Sequence, residues 1–549
     1  MSVSVQVAGG GAAGAGGNAP DLSGVATRLA AKDATLWGPA AEPEAAKRLG
    51  WLDLPRSSEA LLPQLREIRE RVRAAGLDHV VLAGMGGSSL APEVITRTAG
   101  ADLTILDSTD PHQVGAVLRD RIERTVVVVA SKSGGTVETD SHRRAFEQAF
   151  RDAGLTEAEI AGRIVVVTDP GSTLEDSARS AGYDVVLADP DVGGRYSALS
   201  AFGLTPSLLA GADVERLLAD ARVLAGELGA TDNSDSADNA GITLGRAMGE
   251  YARAGRDKLI LADSGSGIVG FGDWAEQLIA ESTGKEGTGN LPVVVEGTVA
   301  PGFTDAGDDA HRVLLGPGRP GLDATAVSGS LGAQFLLWEY ATAVAGKVLG
   351  INPFDQPNVA ESKENTQKIL DEAGDDGPLP EGEPLLVDGA VAVHADPGLL
   401  GDVADLPGVL SALVGQIGPR GYLAAMAYLD RDSDGAVQAV RAHLARAARG
   451  RPVTFGWGPR FLHSTGQFHK GGPQVGTFLQ LTGSVDRDVD VPGRPYSFGR
   501  LQMAQALGDQ RALAGRGRPV VRLHLVSRAE GVRQVLAAAA AAAATGRDR

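Results

Sequence analysis

Residues Arg124 to Phe150 read RTVVVVASKSGGTVETDSHRRAFEQAF. Four valines and an alanine follow Thr125 without polar interruption, the pattern of a strand buried on both faces of a parallel sheet. Ser131, Lys132, Ser133, Gly134, Gly135 and Thr136 then make a small hydroxyl-rich turn, and Val137 to Phe150 carries helical periodicity. A strand, a Ser/Gly turn and a helix start together form an anion cradle. The turn's N–H groups are unpaired, the helix dipole points its positive end there, and the hydroxyls add donors. Without side chains at Gly134 and Gly135, a phosphate can approach the backbone. The stretch matches neither the Walker pattern nor GxGxxG, so a nucleotide is not the first expectation. Alone, it reads equally well as an ordinary βα turn.

The surroundings repeat the pattern. Strands are expected at 79–83, 103–107, 126–129, 163–168 and 183–187, with helices between them. Short apolar strands separated by helices predict a parallel, doubly wound sheet of the three-layer, Rossmann-like kind, with ligands at the carboxyl ends of its strands. The polar run 231–238 marks a boundary, after which a second alternation is expected, with strands at 258–262, 292–296 and 311–315 and helices at 240–254, 268–283 and 329–349. A third α/β stretch, 376–549, has strands expected near 385–393, 421–429, 453–455, 477–481 and 520–525 and an alanine-rich helix at 532–544. The division is therefore a disordered Gly/Ala-rich tail (1–20), N-terminal helices with a first α/β domain (21–230), a second (231–375), and a C-terminal α/β region (376–549). Two similar units in tandem suggest a two-lobed enzyme with its cleft between them.

Composition narrows the chemistry. The chain has 549 residues, a formal charge of -18 and no cysteine, so disulfides and thiolate metal sites are excluded. The acidic balance argues against nucleic acid and anionic membrane surfaces as partners. No membrane span and no secretory signal are expected, and the reading is cytoplasmic. An anionic small substrate needs a local basic pocket.

Several short motifs offer one. Gly84-Met-Gly-Gly-Ser-Ser89 is a second glycine loop between a strand and a helix, with Gly87 and Ser88 at its centre. Arg195 stands between Gly193-Gly194 and Tyr196-Ser197; by default it is a surface arginine, and in this context a cation for a phosphate or an oxyanion. Gln277 and Glu281 share a helix face, and a glutamate at a helix C-terminus opposes the dipole, although simple solvation is the plainer account. His311 opens a strand, and Asn352-Pro-Phe-Asp-Gln-Pro-Asn-Val leads with Gln356 into a helix bearing Lys363. A glycine-rich loop, 461–472, carries His463, His469 and Lys470. The two histidines are spaced as metal ligands can be, but no acidic or thiol partner stands close, so no metal is expected.

In their order these motifs resemble those of glucose-6-phosphate isomerases, and most of all the isomerase half of fused transaldolase/glucose-6-phosphate isomerase proteins. The resemblance spans about 75 to 370 and rests on GMGGSS, SKSGGT, GGRYS, QLIAESTGK and NPFDQPNV. It implies two sugar-isomerase (SIS) domains, a homodimer, no cofactor, and interconversion of glucose 6-phosphate with fructose 6-phosphate through a cis-enediol. It also implies that Gly87 and Ser88 contact substrate and that Ser131, Lys132, Ser133 and Thr136 hold the phosphate. Arg195 then stabilises the enediolate, Gln277 lies beside the base, Glu281 shuttles the proton, and His311 with Lys363 opens the ring. Two features depart from the family. The stretch before His311 lacks the glutamine that relatives usually carry, and the long segment follows Lys363 instead of preceding it, which leaves His469 as the alternative ring-opening histidine. A dual phosphoglucose/phosphomannose isomerase would use the same cis-enediol. A non-catalytic SIS sugar-phosphate sensor would keep the cradle but has no need of Glu281, Arg195 and Lys363 together. A transaldolase barrel has no room in the chain.

Overall fold

In the computed structural model, residues 3–8, 21–229, 239–375 and 377–545 are described. The boundary run 231–238 and most of the predicted tail lie outside them. Strands fall into three sheets. The first runs Thr104–Leu106, His79–Gly84, Thr125–Ala130, Ile164–Thr168, Asp184–Leu187, all parallel. Its central strand behaves as its valines predict. Val126 and Val128 join one hydrophobic cluster, Val127 and Val129 another on the opposite face, and none is more than 1% exposed. The following helix, Val137–Asp152, buries Ala145, Phe146 and Phe150 and ties Arg143 and Arg144 to Asp140 on its outer side.

The second sheet runs Ser4–Gln6, Thr325–Ser328, Ala310–Leu315, Lys258–Asp263, Leu291–Val294. All are parallel except the first, which pairs antiparallel with Thr325–Ser328. Ser4–Gln6 corrects the expectation of a disordered tail over 1–20: alternating Ser-Val-Gln covers what would be an open sheet edge. Thr325–Ser328 is a further strand, too short and too close to glycine to read from the sequence. One face of this sheet (Leu259, Leu261, Val313) packs on the helices Ala240–Arg253, Phe271–Thr283 and Leu331–Leu349.

Its other face (Ile260, Ala262, Val293, Leu314) packs on the third region, against Tyr422, Met426, Phe468 and Phe478. The third sheet runs Leu386–Asp388, Val391–Ala395, Val520–Leu525, Gly476–Gly483, Tyr422–Tyr428, Val453–Trp457. The strand expected near 385–393 is a hairpin, turning at Gly389 with φ +55. The C-terminal region is therefore a wall of the second domain's core. No helix among the described residues is long and apolar enough to cross a membrane.

Candidate active site

The first sheet contributes its carboxyl end, as expected: the glycine loop, the cradle and the Arg195 turn all follow its strands. The second sheet contributes its amino end. Phe271–Thr283 starts beyond the carboxyl end of Lys258–Asp263 and runs back, so Glu281 and Ser282 emerge beside the start of Leu291–Val294, where Thr283 Oγ1 accepts from the Asn290 N–H. Leu331–Leu349 likewise delivers the turn 352–356 to that end.

Arg195 joins these parts. It is 3% exposed, and its N–H groups reach five oxygens: Ser282 Oγ (2.7 Å), Gln356 Oε1 (2.9 Å), Glu281 Oε1 (3.1 Å), and the carbonyls of Pro353 (2.7 Å) and Asp355 (3.0 Å). Four of a guanidinium's five donors are therefore committed to hydrogen bonds, and the Glu281 carboxylate is held beside it as an ion pair. Lys285 anchors the same turn, donating to the carbonyls of Asn352 (2.7 Å) and Asp355 (2.6 Å) and to Asp355 Oδ1 (2.6 Å). Burial and the nearby Arg195 charge push its ammonium down to about 8.

Gly87 and Gly86 are where the pieces meet. A Cβ on Gly87 would stand 1.9 Å from the Gly194 carbonyl oxygen, so the glycine loop and the Arg195 turn touch backbone to backbone. Gly86 takes φ +54 and abuts Gln277 Nε2 and the His463 carbonyl. The close approach leaves no room for a side chain at Gly87, and Ser88 beside it is half-buried.

Gln277 Nε2 donates to Glu281 Oε2 (3.1 Å) and to the His463 carbonyl (2.8 Å). His463 comes from the third region, after the strand Val453–Trp457, and its Nε2 lies 2.9 Å from Glu138 Oε1. Arg460, in the same turn, pairs with Glu93 and Asp107 of the first domain at 2.6 Å each, and Asp107 also accepts from Ser89 Oγ. Burial pushes the Glu138 carboxyl up, but the His463 ring and Lys363 outweigh it and hold the group down at about 2. Glu138, His463, Lys363, Ser362, Val137 and Gly135 line a cavity of about 320 Å³.

In the cradle, Ser131 Oγ donates to Thr136 Oγ1 (3.1 Å) and Ser133 Oγ accepts from the Gly135 N–H (3.3 Å). Thr136 occupies the helix N-cap without its side chain closing the turn. Lys132 departs from expectation: its ammonium is bound by Asp169 and the Pro190 carbonyl at the neighbouring strand ends, so the cradle offers hydroxyls and backbone N–H groups.

The histidine assignments need correction. His311 is 1% exposed, its Nε2 lies 2.8 Å from Thr325 Oγ1, and its ring packs 4.2 Å from that of Tyr251. It sits on the sheet's central strand, against Thr325 and Tyr251, which themselves bond Ala8 of the N-terminal segment, and burial, with Arg256 nearby, pushes its pKa down to about 3. His469 is also buried, with Nδ1 2.8 Å from the Tyr422 hydroxyl, and burial keeps it neutral. Lys470 is locked to buried Asp509 at 2.9 Å. Of the histidines singled out from the sequence, His463 is the one in the cleft. Glu138 escaped sequence reasoning because an acidic residue in a first helical turn reads as a dipole partner.

A sequence model of the family described as phosphoglucose isomerase matches residues 54–314. The glucose-6-phosphate isomerase of Rubrobacter xylanophilus is 32% identical over 401 residues, covering 59% of this chain and 90% of that protein. That of Thermosynechococcus vestitus is 29% identical over 406 residues, covering 59% and 76%. Among solved structures, a hypothetical protein from Thermus thermophilus superposes with a TM-score of 0.53 at 25% identity, covering 63% of this chain and 94% of that one. A Chlamydia trachomatis glucose-6-phosphate isomerase superposes at 0.50 with 20% identity, covering 63% and 78%, which is a likeness of fold.

Proposed function

This chain belongs to the phosphoglucose isomerase family, and from that membership we propose that it interconverts glucose 6-phosphate and fructose 6-phosphate with the residues gathered in the cleft. The observation that carries the assignment of roles is Glu281, a carboxylate ion-paired to Arg195, hydrogen-bonded by Gln277, and joined through Gln277 to the turn holding His463.

The chemistry is proton transfer, for which carboxylate, imidazole and ammonium groups suffice. His463 and Lys363 exchange the protons of the ring oxygen and the anomeric hydroxyl as the sugar opens. Glu281 then removes the proton on C2 of the open aldose. The C–H electrons form the C1–C2 double bond, and the C1 carbonyl electrons move onto O1. The same carboxyl returns its proton to C1 while the C2 hydroxyl gives its own proton to O1 and becomes the ketone. Arg195, with four donors committed to Ser282, Gln356 and two carbonyls, supports the enediolate through its charge and by fixing Glu281. The cradle of Ser131, Ser133, Gly135 and Thr136 receives the phosphate, and remote binding there positions the reacting carbons. Location in the cytoplasm and assembly as a homodimer belong to the same proposal; the absence of cysteine supports the first, and sedimentation tests the second.

The test is a coupled assay on fructose 6-phosphate, read by glucose-6-phosphate dehydrogenase, for the wild type and Glu281→Gln. Turnover that falls by several orders of magnitude in the variant upholds the base. A variant as active as wild type removes Glu281 from that role, and sugar-phosphate binding without turnover in the wild type removes the isomerase reading.

A further inference from the structure

Glu138 is held from two sides. Its Oε1 accepts from His463 Nε2 at 2.9 Å and from Gln505 Nε2 at 2.7 Å. Gln505 Oε1 in turn accepts from Thr109 Oγ1 at 2.7 Å. Thr109, Glu138 and Gln505 are 0%, 2% and 3% exposed. Thr109 and Glu138 belong to the first domain; Gln505 and His463 belong to the third region, Gln505 on the helix Phe498–Ala514. The chain of hydrogen bonds therefore crosses the boundary between the two at every link.

From this geometry we propose that Gln505 is a positioning residue for ring opening, holding Glu138 as the anionic acceptor that orients His463. The inference rests on the ring-opening role given to His463 above. An ionised carboxylate only accepts, so the amide nitrogen must face it, and the Thr109 hydroxyl satisfies the amide oxygen on the other side. A proton on Glu138 Oε1 would meet two N–H groups and find no acceptor, so the arrangement favours the anion. With Glu138 ionised, His463 keeps its hydrogen on Nε2, and Nδ1 is the nitrogen left to exchange protons with the sugar. The helix that presents Gln505 is itself pinned one turn later: Asp509 accepts from Ser362 Oγ (3.0 Å), beside Lys363, and from Lys470 Nζ (2.9 Å). One face of one helix thus braces the supports of both ring-opening groups.

The experiment compares the full-length wild type, Gln505→Leu, Gln505→Glu and His463→Asn on fructose 6-phosphate across pH. Gln505→Leu is expected to lower kcat by about 10- to 100-fold, the usual cost of losing a group that orients a functional side chain, with KM within about twofold. In Gln505→Glu two carboxyls share one proton, so the acid limb of the kcat profile moves to higher pH. A merely structural role lowers thermal stability without moving that limb. If His463→Asn is inactive while both Gln505 variants keep the wild-type kcat and acid limb, the inference fails and the reading of His463 stands. If His463→Asn is as active as wild type, both fall. Should Gln505→Leu not fold, the near-isosteric Gln505→Glu profile decides.

Discussion

Arg195 holds Glu281 at 3.1 Å, and the guanidinium's other N–H groups are all taken by Ser282, Gln356 and the carbonyls of Pro353 and Asp355. The arginine belongs to the first domain's last loop and the glutamate to the end of a second-domain helix, so this pair ties the two domains together at the proposed active site. It also accounts for a carboxylate at a helix C-terminus, where the dipole alone disfavours it.

Arg195→Lys is expected to keep the charge and lose most of the fork of contacts. A lysine has three donors on a flexible stem and cannot satisfy five acceptors in fixed directions. The expected result is a fall in kcat of roughly 10²- to 10³-fold, the scale of losing one preorganised electrostatic group. Steady-state kinetics alongside a melting curve checks it; a variant with wild-type kcat would remove Arg195 from the reaction.

What was legible in the sequence depended on how local its cause was. The valine run and the Ser/Gly turn announce a strand and a cradle because both sides of that strand are buried and the turn's geometry is set within six residues. The five motifs point to Arg195, Gln277, Glu281 and Lys363 through their order along the chain. That order does not single out the ring-opening histidine: it leaves His311 with His469 as the alternative, and the histidine in the cleft is His463. Which of them reaches the cleft depends on the third region docking across the second sheet, through contacts such as Arg460 with Asp107, 353 residues apart in the chain (460 less 107). Lys132 reads as a phosphate ligand from its turn alone, whereas its ammonium pairs with Asp169, on the next strand's end, a partner that its own turn does not contain. Glu138 and Gln505 meet only because separate domains pack.

His463→Ala is expected to cut turnover of the ring-closed substrate by about 10²- to 10⁴-fold, the typical contribution of a positioned acid or base. His311→Asn, able to keep a hydrogen bond to Thr325, is expected to leave kcat within about twofold. The same assay on both variants checks the pair, and the reverse pattern would restore His311 to the reaction.

The buried His311 makes a stability prediction of its own. Its ring titrates near 6.5 when unfolded and is pushed down to about 3 when folded. Between those values the unfolded chain binds the extra proton, so stability falls as pH drops from about 6.5 toward 3. One such proton is worth at most about 1.4 kcal/mol per pH unit. Buried His142 and half-buried His524, each pushed down to about 4, act in the same direction. The melting temperature is therefore expected to fall below pH 6.5, and less steeply in His311→Asn. Equal slopes in the two proteins would contradict the assignment.

Gly87→Ala tests the backbone junction. The added methyl would lie 1.9 Å from the Gly194 carbonyl oxygen, so one of the two loops must move. Overpacking of this kind costs about 1–3 kcal/mol, and the displaced element is the turn that aims Arg195. Loss of kcat together with a lower melting temperature is expected. Unchanged kinetics would mean that the turn can shift without disturbing Arg195.

Lys285 supplies the alkaline side of the pH dependence. Its ammonium is pushed down to about 8 by burial and by Arg195, against the opposing pull of Asp355 and Glu281. Above that pH the amine is neutral and loses one of its three donors, while three acceptors still converge on it from the turn 352–356. That turn also furnishes Gln356 and two carbonyls to Arg195, so the slackening reaches Glu281. Wild-type kcat is expected to decline above about pH 8, and Lys285→Met to run at a lower rate with that decline absent. Measuring kcat from pH 7 to about 10 separates the cases: a wild-type profile flat to the alkaline end, or a Lys285→Met profile that still declines near 8, would assign the limb to another group.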